Sequence, residues 1–225
     1  MVYNIIPGTL YVVSTPIGNL QDITYRAVDV LSLVDLIACE DTRRTKILLD
    51  HYQIKKQLIS YYEYNKLKRT DQILAYLKQG KSVALVSDAG TPGISDPGYS
   101  LIKKVIEENI LLEAIPGVSA LLTALVVSGM PMHRFCFEGF LPVKSGARRK
   151  ILENIKLEKK TTVLYESPHR LLKTLNAIRD VFGNKDIVIG RELTKKFEEM
   201  LRLPVAEAIT YFENKNPKGE FVIIV

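Results

Sequence analysis

The chain contains few of the residues from which metal sites and covalent catalytic sites are usually built. Its 225 residues include two cysteines and three histidines. Cys39 and Cys136 lie far apart and have no neighbouring histidine, so the sequence indicates neither a zinc site nor a disulfide framework, and we expect both thiols to be buried. The histidines occur in unrelated contexts, so no serine–histidine–aspartate set is apparent, and we interpret His169 as structural.

Long apolar segments are absent as well. No apolar run approaches the roughly 20 residues needed to cross a bilayer. The start of the chain, MVYNIIPGTL, lacks the basic residues and the small-residue cleavage site of a signal peptide. The sequence therefore predicts a cytoplasmic protein without a membrane partner, and a hydrophobic content of 47% is ample for a packed core.

Common nucleotide-binding motifs are missing too. No loop carries the G-x-G-x-x-G pattern of dinucleotide folds or the G-x-x-x-x-G-K-[ST] pattern of a P-loop, which disfavours ordinary NAD and ATP chemistry. The net charge of +6 suits a polyanionic partner, but many proteins that bind no polyanion are equally basic. Charge alone therefore decides nothing.

Four short apolar runs in the first half of the chain are typical of buried parallel strands. They are Leu10 to Val13, Leu36 to Cys39, Val83 to Val86 and Leu111 to Ile115. Amphipathic segments of helical length separate them. One has Asp96 as predicted N-cap, Pro97 at its first position, and an inner face of Leu101, Ile102, Val105 and Ile106. The alternation predicts a doubly wound α/β domain over residues 1–116.

The second half, residues 117–225, is predicted to be another α/β domain with a mixed sheet. Its predicted helices are Val118 to Val127, Lys144 to Lys160, and one capped by Ser167 and Pro168 whose inner face is Leu171, Leu172, Leu175 and Ile178. Its predicted strands are Thr162 to Tyr165, Ile187 to Gly190 and Phe221 to Val225.

Each strand of the first domain runs into turn-forming or acidic residues at its carboxyl end. The four following segments read STPIGNLQD, EDTRRT, SDAGTPGISDPG and PGVSA. Ligands of open parallel sheets bind outside the carboxyl ends of the strands, so we expect these loops to converge on one cleft. A single such loop would be interpreted as a connection, but four at one edge favour a ligand held mainly by backbone groups.

Seven segments together resemble the tetrapyrrole methylase superfamily. In chain order they are TPIGNLQDIT, DLIACEDTRRT, LVSDAGTPGISDPG, PGVSA, RFCFEGFLP, YESPHRL and GRELTKKFEE. The resemblance runs from about Thr9 to the last residue. Within the superfamily the chain is similar to the branch that methylates the ribose 2′-hydroxyl of a cytidine in small-subunit ribosomal RNA.

The resemblance implies a two-domain fold, a homodimer, and S-adenosylmethionine bound in the cleft between the domains. The implied cofactor-binding residues are Ile17, Gly18, Asn19, Leu20, Asp88, Ala89, Gly90, Thr91, Pro92, Ser119, Ala120, Tyr165, Leu193 and Gly219. The implied partner is small-subunit ribosomal RNA, either free or in an assembled particle.

The chain departs from the pattern of the RNA-modifying branch in two places. A histidine-rich segment ending in Asn-Glu is usual where this chain reads Tyr62-Glu63-Tyr64-Asn65-Lys66. Many members also continue past the last strand into a helical tail, whereas this sequence ends at Val225. We therefore expect RNA to be bound more weakly or at a different place.

Transfer of an activated methyl group mainly requires positioning, together with a base for the proton of the ribose hydroxyl. Glu40 and Asp41, at a strand's carboxyl end, are candidates, with Glu192 and Lys195 expected to face them from the second domain. A structural role is an equal alternative for Asp41, which is placed to cap the helix beginning at Thr42. No metal is required.

Basic residues near these candidates are predicted to bind RNA phosphates. Arg43, Arg44 and Lys46 would lie beside the site, and Lys144, Arg148, Arg149, Lys150, Lys156, Lys159 and Lys160 would extend the track. Tyr61, Tyr62 and Tyr64 are candidates for stacking on unpaired bases, although a core or surface role is equally compatible. Two other functions stay open: methylation of a small macrocycle, and cofactor binding without catalysis.

Overall fold

Runs rich in branched apolar residues form the strands of the first half because their side chains are buried on both faces of a parallel sheet. The computed structural model describes residues 3–225. The chain forms two units: the first ends at Ser119 and the second runs from Ala120 to Val225. The boundary predicted from the sequence, between residues 116 and 117, lies in the same connection between a strand and a helix.

The first unit alternates strands and helices, and all four predicted strands are present. In chain order its elements are β1 Thr9–Val13, a 3₁₀ turn Leu20–Asp22, α1 Tyr25–Leu33, β2 Leu36–Cys39, α2 Thr42–His51, β3 Leu58–Ser60, α3 Lys66–Lys78, β4 Val83–Val86, α4 Tyr99–Glu107 and β5 Leu111–Ile115. Strand β3 is not predicted from the sequence, because its three residues are too short a run to stand out.

The sheet of the first unit has the strand order β3-β2-β4-β1-β5, and every neighbouring pair is parallel. Helices cover both faces. One core packs α1 and α2 against the sheet around Val30 and Ile37, and the other packs α3 and α4 around Ile73 and Leu101. The predicted doubly wound architecture is confirmed.

Two expectations for this unit are wrong. β5 is an edge strand paired only with β1, and Leu111 is 56% exposed, so the strand is not buried on both faces. Helix α4 begins at Tyr99 after Gly98, whose φ is +154°, so Asp96 and Pro97 belong to the preceding loop rather than to the helix cap and first turn. Leu101 and Val105 are buried as predicted, but Ile106 is exposed because it lies off the buried stripe.

The second unit carries the predicted mixed sheet. Its elements are α5 Ala120–Val126, β6 Phe135–Phe140, α6 Ser145–Glu158, β7 Thr161–Glu166, α7 Leu171–Phe182, β8 Asp186–Arg191, β9 Glu199–Pro204, α8 Val205–Asn214 and β10 Phe221–Ile224. The strand order is β6-β7-β10-β8-β9; β6 and β7 are parallel and the other pairs are antiparallel. The last strand, β10, therefore lies at the centre of the sheet.

The predicted cap of α7 is wrong. The helix starts at Leu171, three residues beyond Pro168. The buried carboxylate of Glu166 closes this connection instead, accepting hydrogen bonds from the Ser167 N–H at 2.7 Å and the Thr174 hydroxyl at 2.6 Å. The N-cap residue, Arg170, makes no capping hydrogen bond with its side chain, so Glu166 fixes the segment before the helix without capping the helix itself.

Four further features of the second unit differ from expectation. Strands β6 and β9 and helix α8 are not predicted from the sequence. Cys136 is only half-buried, because it lies on the edge strand β6, whereas Cys39 is buried. Within residues 3–225, no helix is both long and apolar enough to cross a membrane.

Candidate functional site

A crevice of the kind that binds ligands is expected where neighbouring parallel strands send their connections to opposite faces of the sheet. β1 and β4 are such neighbours: the chain leaves β1 toward α1 on one face and leaves β4 toward α4, which packs on the other face. The segments that follow these two strands are the first and third of the predicted ligand loops.

Hydrogen bonds hold the first and third loops together. Thr15 and Gly90 exchange two backbone hydrogen bonds, both of 2.9 Å. The hydroxyls of Ser14 and Thr91 are 2.9 Å apart, and the Thr15 hydroxyl donates to the Ser87 carbonyl at 3.2 Å. The predicted convergence is confirmed for these two loops, and their hydrogen bonds to each other fix their backbone.

Two glycines allow the loops to approach so closely. Gly90 has φ +81°, a backbone conformation that residues with a side chain rarely adopt, and the third loop needs it to pair with Thr15. A Cβ on Gly117, in the fourth loop, would lie 2.9 Å from the Cβ of Ser14. The fourth loop therefore packs directly against the first, and a side chain at residue 117 would force them apart.

Asp41 is a helix cap. Its carboxylate accepts a hydrogen bond from the Arg43 N–H at 2.8 Å and contacts the Arg43 guanidinium at 3.0 and 2.7 Å. These hydrogen bonds from the Arg43 side chain and backbone lower the pKa of Asp41 to about 2. The carboxylate therefore stays ionised and is a weak proton acceptor, so the structure favours the capping alternative.

Asp88 links the third loop to the second. Its carboxylate accepts a hydrogen bond from the Asp41 N–H at 3.0 Å and lies 3.3 Å from the Arg44 guanidinium. A cavity of ≈ 120 Å³ adjoins this junction, lined by residues that include Thr15, Leu20, Arg44 and Asp88. The side chain of Asp88, a predicted cofactor residue, thus already has partners within the first unit.

The pKa of Glu40 is shifted in the opposite direction from that of Asp41. Partial burial raises its pKa, and the neighbouring Asp88 carboxylate raises it further, while Arg44 opposes the change. Asp41 adds a smaller repulsion. Among the predicted catalytic carboxylates, Glu40 is thus the one whose proton affinity is shifted toward neutral pH, which is the property a general base needs.

The two candidates from the second unit form one cluster with Glu220. The Lys195 ammonium lies 2.8 Å from Glu192 and 3.0 Å from Glu220, and the Glu220 N–H donates to the Glu192 carboxylate at 3.0 Å. Gly219 makes room for this arrangement, since a Cβ there would come within 2.5 Å of the Glu192 side chain. Sequence reasoning missed Glu220, which lies 28 residues from Glu192 and has no local signal.

Charge pairing sets the protonation of this cluster. Partial burial by itself disfavours the Lys195 cation, but hydrogen bonds to Glu192 and Glu220 outweigh it and raise the pKa of Lys195. Partial burial likewise opposes ionisation of Glu192, yet the Lys195 ammonium and the Glu220 amide leave its pKa lowered. Lys195 therefore remains a cation, which excludes it as a base near neutral pH.

The other predicted cofactor residues of the second unit lie at the same end of its sheet. The Tyr165 hydroxyl accepts a hydrogen bond from the Leu121 N–H at 3.1 Å, in the first turn of α5, and its ring packs on Phe137. Leu193 is buried against Gly190, where a Cβ would lie 3.2 Å from the leucine side chain. Ala120 is the first residue of α5.

The predicted RNA-binding residues are mostly exposed. Arg43, Arg44, Lys46, Lys144, Arg149 and Lys150 all present their side chains to solvent. Arg148 is the exception: it is buried, and its guanidinium donates to the carbonyls of Pro142 and Val143 at 3.5 and 3.3 Å. Arg148 therefore holds the turn before α6 instead of presenting its charge to a polyanion.

The three tyrosines predicted for base stacking differ in how far they are exposed to solvent. Tyr61 is 1% exposed and belongs to the core beneath α3 and α4, which excludes it as a stacking surface. Tyr62 and Tyr64 are exposed, with ring centroids 6.5 Å apart. Of the three, these two remain available to a ligand.

Comparison with known proteins decides the family. The sequence signature described as Tetrapyrrole (Corrin/Porphyrin) Methylases matches residues 9–209. The chain belongs to the tetrapyrrole methylase family. It is 50% identical over 218 residues to a Thermotoga maritima protein named ribosomal RNA small subunit methyltransferase I, a match covering 97% of this chain and 98% of that protein. A protein of the same name from Escherichia coli O157:H7 is 48% identical, with 97% and 78% covered.

Solved structures of tetrapyrrole methylase relatives share the fold. Diphthine synthase superposes with a TM-score of 0.74 at 13% identity, covering 96% of this chain and 89% of that one. A cobalt precorrin-4 methyltransferase superposes with a TM-score of 0.73 at 16% identity, covering 96% and 94%. At such low identities the superpositions show only that the fold is shared. This fold agrees with the α/β class predicted from the sequence.

S-adenosylmethionine is the methyl donor of tetrapyrrole methylases, as predicted. Features of the first unit fit a cationic donor of this kind. The loops are glycine-rich and hydrogen-bonded to one another, and three acidic residues, Glu40, Asp41 and Asp88, follow the carboxyl ends of β2 and β4, where a sulfonium would meet negative charge. No group of three or more metal-ligating side chains is present in the described part of the chain.

Proposed function

We propose that this protein methylates the ribose 2′-hydroxyl of a cytidine in small-subunit ribosomal RNA. The observation that carries the proposal is the near full-length similarity, at 50% identity, to a protein named for methylation of that RNA. The chemistry of Glu40 supports the ribose as acceptor, because a hydroxyl nucleophile must lose its proton as it attacks.

Each residue of the first unit's site has its own role in the proposed reaction. S-adenosylmethionine, when bound, would supply an activated methyl group for the ribose oxygen. Glu40 accepts the proton that the hydroxyl releases, and its raised pKa suits that step. Asp41 and Asp88 fix the second and third loops, so the Glu40 backbone is held in place. Arg43, Arg44 and Lys46 then bind the adjacent RNA phosphates.

The cofactor is bound mainly by backbone groups of Ile17 to Leu20 and Asp88 to Pro92. Ser119, Ala120, Tyr165, Leu193 and Gly219 complete the set. The Glu192–Lys195–Glu220 cluster supports this binding by fixing the backbone beside Gly219. Neither Glu192 nor Lys195 acts as the base.

The active form is proposed to be a homodimer that works in the cytoplasm, where its ribosomal substrate is assembled. Exposed apolar side chains support self-association: Leu111 on the edge strand β5, and Leu122, Val126 and Val127 on or after α5. Sedimentation at micromolar concentration tests this, with a dimer expected. A monomer at all concentrations would contradict it.

The decisive experiment measures transfer of a labelled methyl group to small-subunit RNA from cells that lack this protein. Free RNA and assembled particles are tested separately, and ribose methylation is mapped by mass spectrometry in both. Label on a cytidine ribose is the expected result. Absence of transfer to either substrate by protein that binds S-adenosylmethionine normally would overturn the proposal.

A further inference from the structure

The second unit contains a separate cavity of ≈ 510 Å³ at the far end of its sheet. It lies where β7 and β8 begin and β10 ends, next to Thr161, Lys185 and Val225. Tyr165, a predicted cofactor residue, lies four residues further along β7, or about 13 Å at the usual rise of a strand. The same separation is seen along β10: Gly219, another predicted cofactor residue, lies just before this strand, and Val225, which lines the cavity, lies just after it. The cavity is therefore distinct from the proposed cofactor site.

The lining of this cavity is strongly basic. Lys156, Lys159, Lys160 and Lys185 line it, and no acidic side chain does so among the described residues. Lys160 contacts Glu158 at 3.1 Å, but the other three lysines form no ion pair within residues 3–225. Lys156 is held in place by donating to the Val181 carbonyl at 2.7 Å. Three cations without a carboxylate partner thus share one concave surface, which favours an anionic ligand.

The helix dipole does not account for this convergence. Lysines near the carboxyl end of a helix offset its negative pole, and this explains Lys156 and Lys159 at the end of α6. Lys185, however, comes from the connection between α7 and β8. Its ammonium lies 5.2 Å from the centre of the Phe182 ring, at the wall of the cavity. A second element therefore adds its charge to the same space.

The apolar part of the lining identifies the kind of anion. Phe182, Ile155 and Met130 stand beside the lysines. An inorganic anion would use only the charged side, whereas a nucleotide has a sugar and base to place on the apolar side. The volume lies within the range of small-molecule sites, about 300–1,000 Å³, and suits one nucleotide of a longer strand.

We propose that this lysine cavity binds the phosphate backbone of the RNA substrate, as a second contact remote from the site of methyl transfer. The inference rests on the proposed function. It also divides the predicted basic track: α6 is about 21 Å long, so Lys144 and Lys150 near its start and Lys156 and Lys159 near its end contact different phosphates.

The test compares two double variants of the full-length protein. Lys159→Gln/Lys185→Gln removes two charges from the cavity, and Lys173→Gln/Lys215→Gln removes two exposed charges elsewhere in the second unit. Binding of a fluorescently labelled single-stranded RNA of small-subunit sequence is measured by anisotropy between 50 and 200 mM salt. Losing two phosphate contacts should make the slope of log affinity against log salt shallower by about 1.4. Between 50 and 200 mM salt, the fall in RNA affinity should therefore be about sevenfold smaller for the cavity variant than for the unaltered protein.

The possible results distinguish this inference from the proposed function. A cavity variant whose affinity and salt slope match those of the control variant overturns the inference. The inference is also overturned if inorganic pyrophosphate binds in the cavity but the affinity for RNA is the same with and without the two lysines. The cavity would then be a site for a small anion. If the unaltered protein binds RNA through the cavity but transfers no methyl group, the proposed function fails and the RNA contact stands. Calorimetry with S-adenosylmethionine should show the same affinity for all three proteins.

Discussion

Replacing Gly219 with alanine should disrupt the Glu192–Lys195–Glu220 cluster. The added Cβ would lie 2.5 Å from Cγ, Cδ and Oε1 of Glu192, closer than any real contact. The Glu192 side chain would have to turn away. It would then lose its contacts with the Lys195 ammonium at 2.8 Å and the Glu220 N–H at 3.0 Å.

The cost of this substitution has two parts that a control separates. Gly219 has φ +95°, so any side chain strains the backbone, by about 1 kcal/mol. Gly129, in the same unit, has φ +80°, and a Cβ added there would have no neighbouring atom within 4 Å, so Gly129→Ala measures strain alone. Hydrogen bonds that involve charged groups contribute about 1.5–3 kcal/mol each, and Glu192 is partly exposed, so we expect Gly219→Ala to cost about 2 kcal/mol more than Gly129→Ala.

The assay is urea unfolding of each variant, alone and combined with Glu192→Ala. Removing the Glu192 side chain abolishes the collision, so the excess cost of Gly219→Ala should disappear in the combined variant. An excess that persists without Glu192 would refute this reasoning, as would equal stability of the two glycine variants when Glu192 is present.

Three further changes test the site. Glu40→Gln should slow single-turnover methyl transfer by about 10²- to 10⁴-fold without loss of S-adenosylmethionine affinity, and an unchanged rate would exclude Glu40 as the base. Because the pKa of Asp41 is lowered to about 2 in the folded protein, its ionised form stabilises the fold fully above about pH 4, and this contribution is lost as the pH falls toward 2. Asp41→Asn should therefore flatten the dependence of the urea midpoint on pH in this range. Arg148→Met should destabilise the protein by about 2 kcal/mol and leave RNA affinity unchanged, and weaker RNA binding by the folded variant would contradict its structural role.

The sequence predicts the buried strands well for a simple physical reason. β2 and β4 coincide with their predicted limits because continuous apolar runs mark the buried strands of a parallel sheet, and β5 also has its predicted limits although it is a partly exposed edge strand. β9 escapes prediction because its residues are half-buried and include Glu199 and Arg202. α8 could have been found, since Val205, Ala208, Ile209 and Phe212 repeat at helical spacing after a proline.

Helix starts and site partners were harder to predict because distant residues determine them. Ser167 does not cap α7; instead, the buried Glu166 carboxylate fixes the connection before the helix by bonding to Ser167 and Thr174, which no local pattern shows. The meeting of the first and third loops follows from sheet topology and could be predicted. That Asp88 bonds to the Asp41 backbone, 47 residues away, depends on side-chain geometry and could not.

The position of β10 constrains how the protein is made. Among residues 3–225 this strand is the last to leave the ribosome, yet β7 and β8 are joined into one sheet only through it. During translation, the first unit can complete its sheet once β5 has emerged, because all five of its strands are then available. The second unit cannot complete its sheet until β10 has been made. A nascent chain that stalls shortly before Phe221 should therefore carry a folded first unit and an incompletely folded second unit that proteases can cleave.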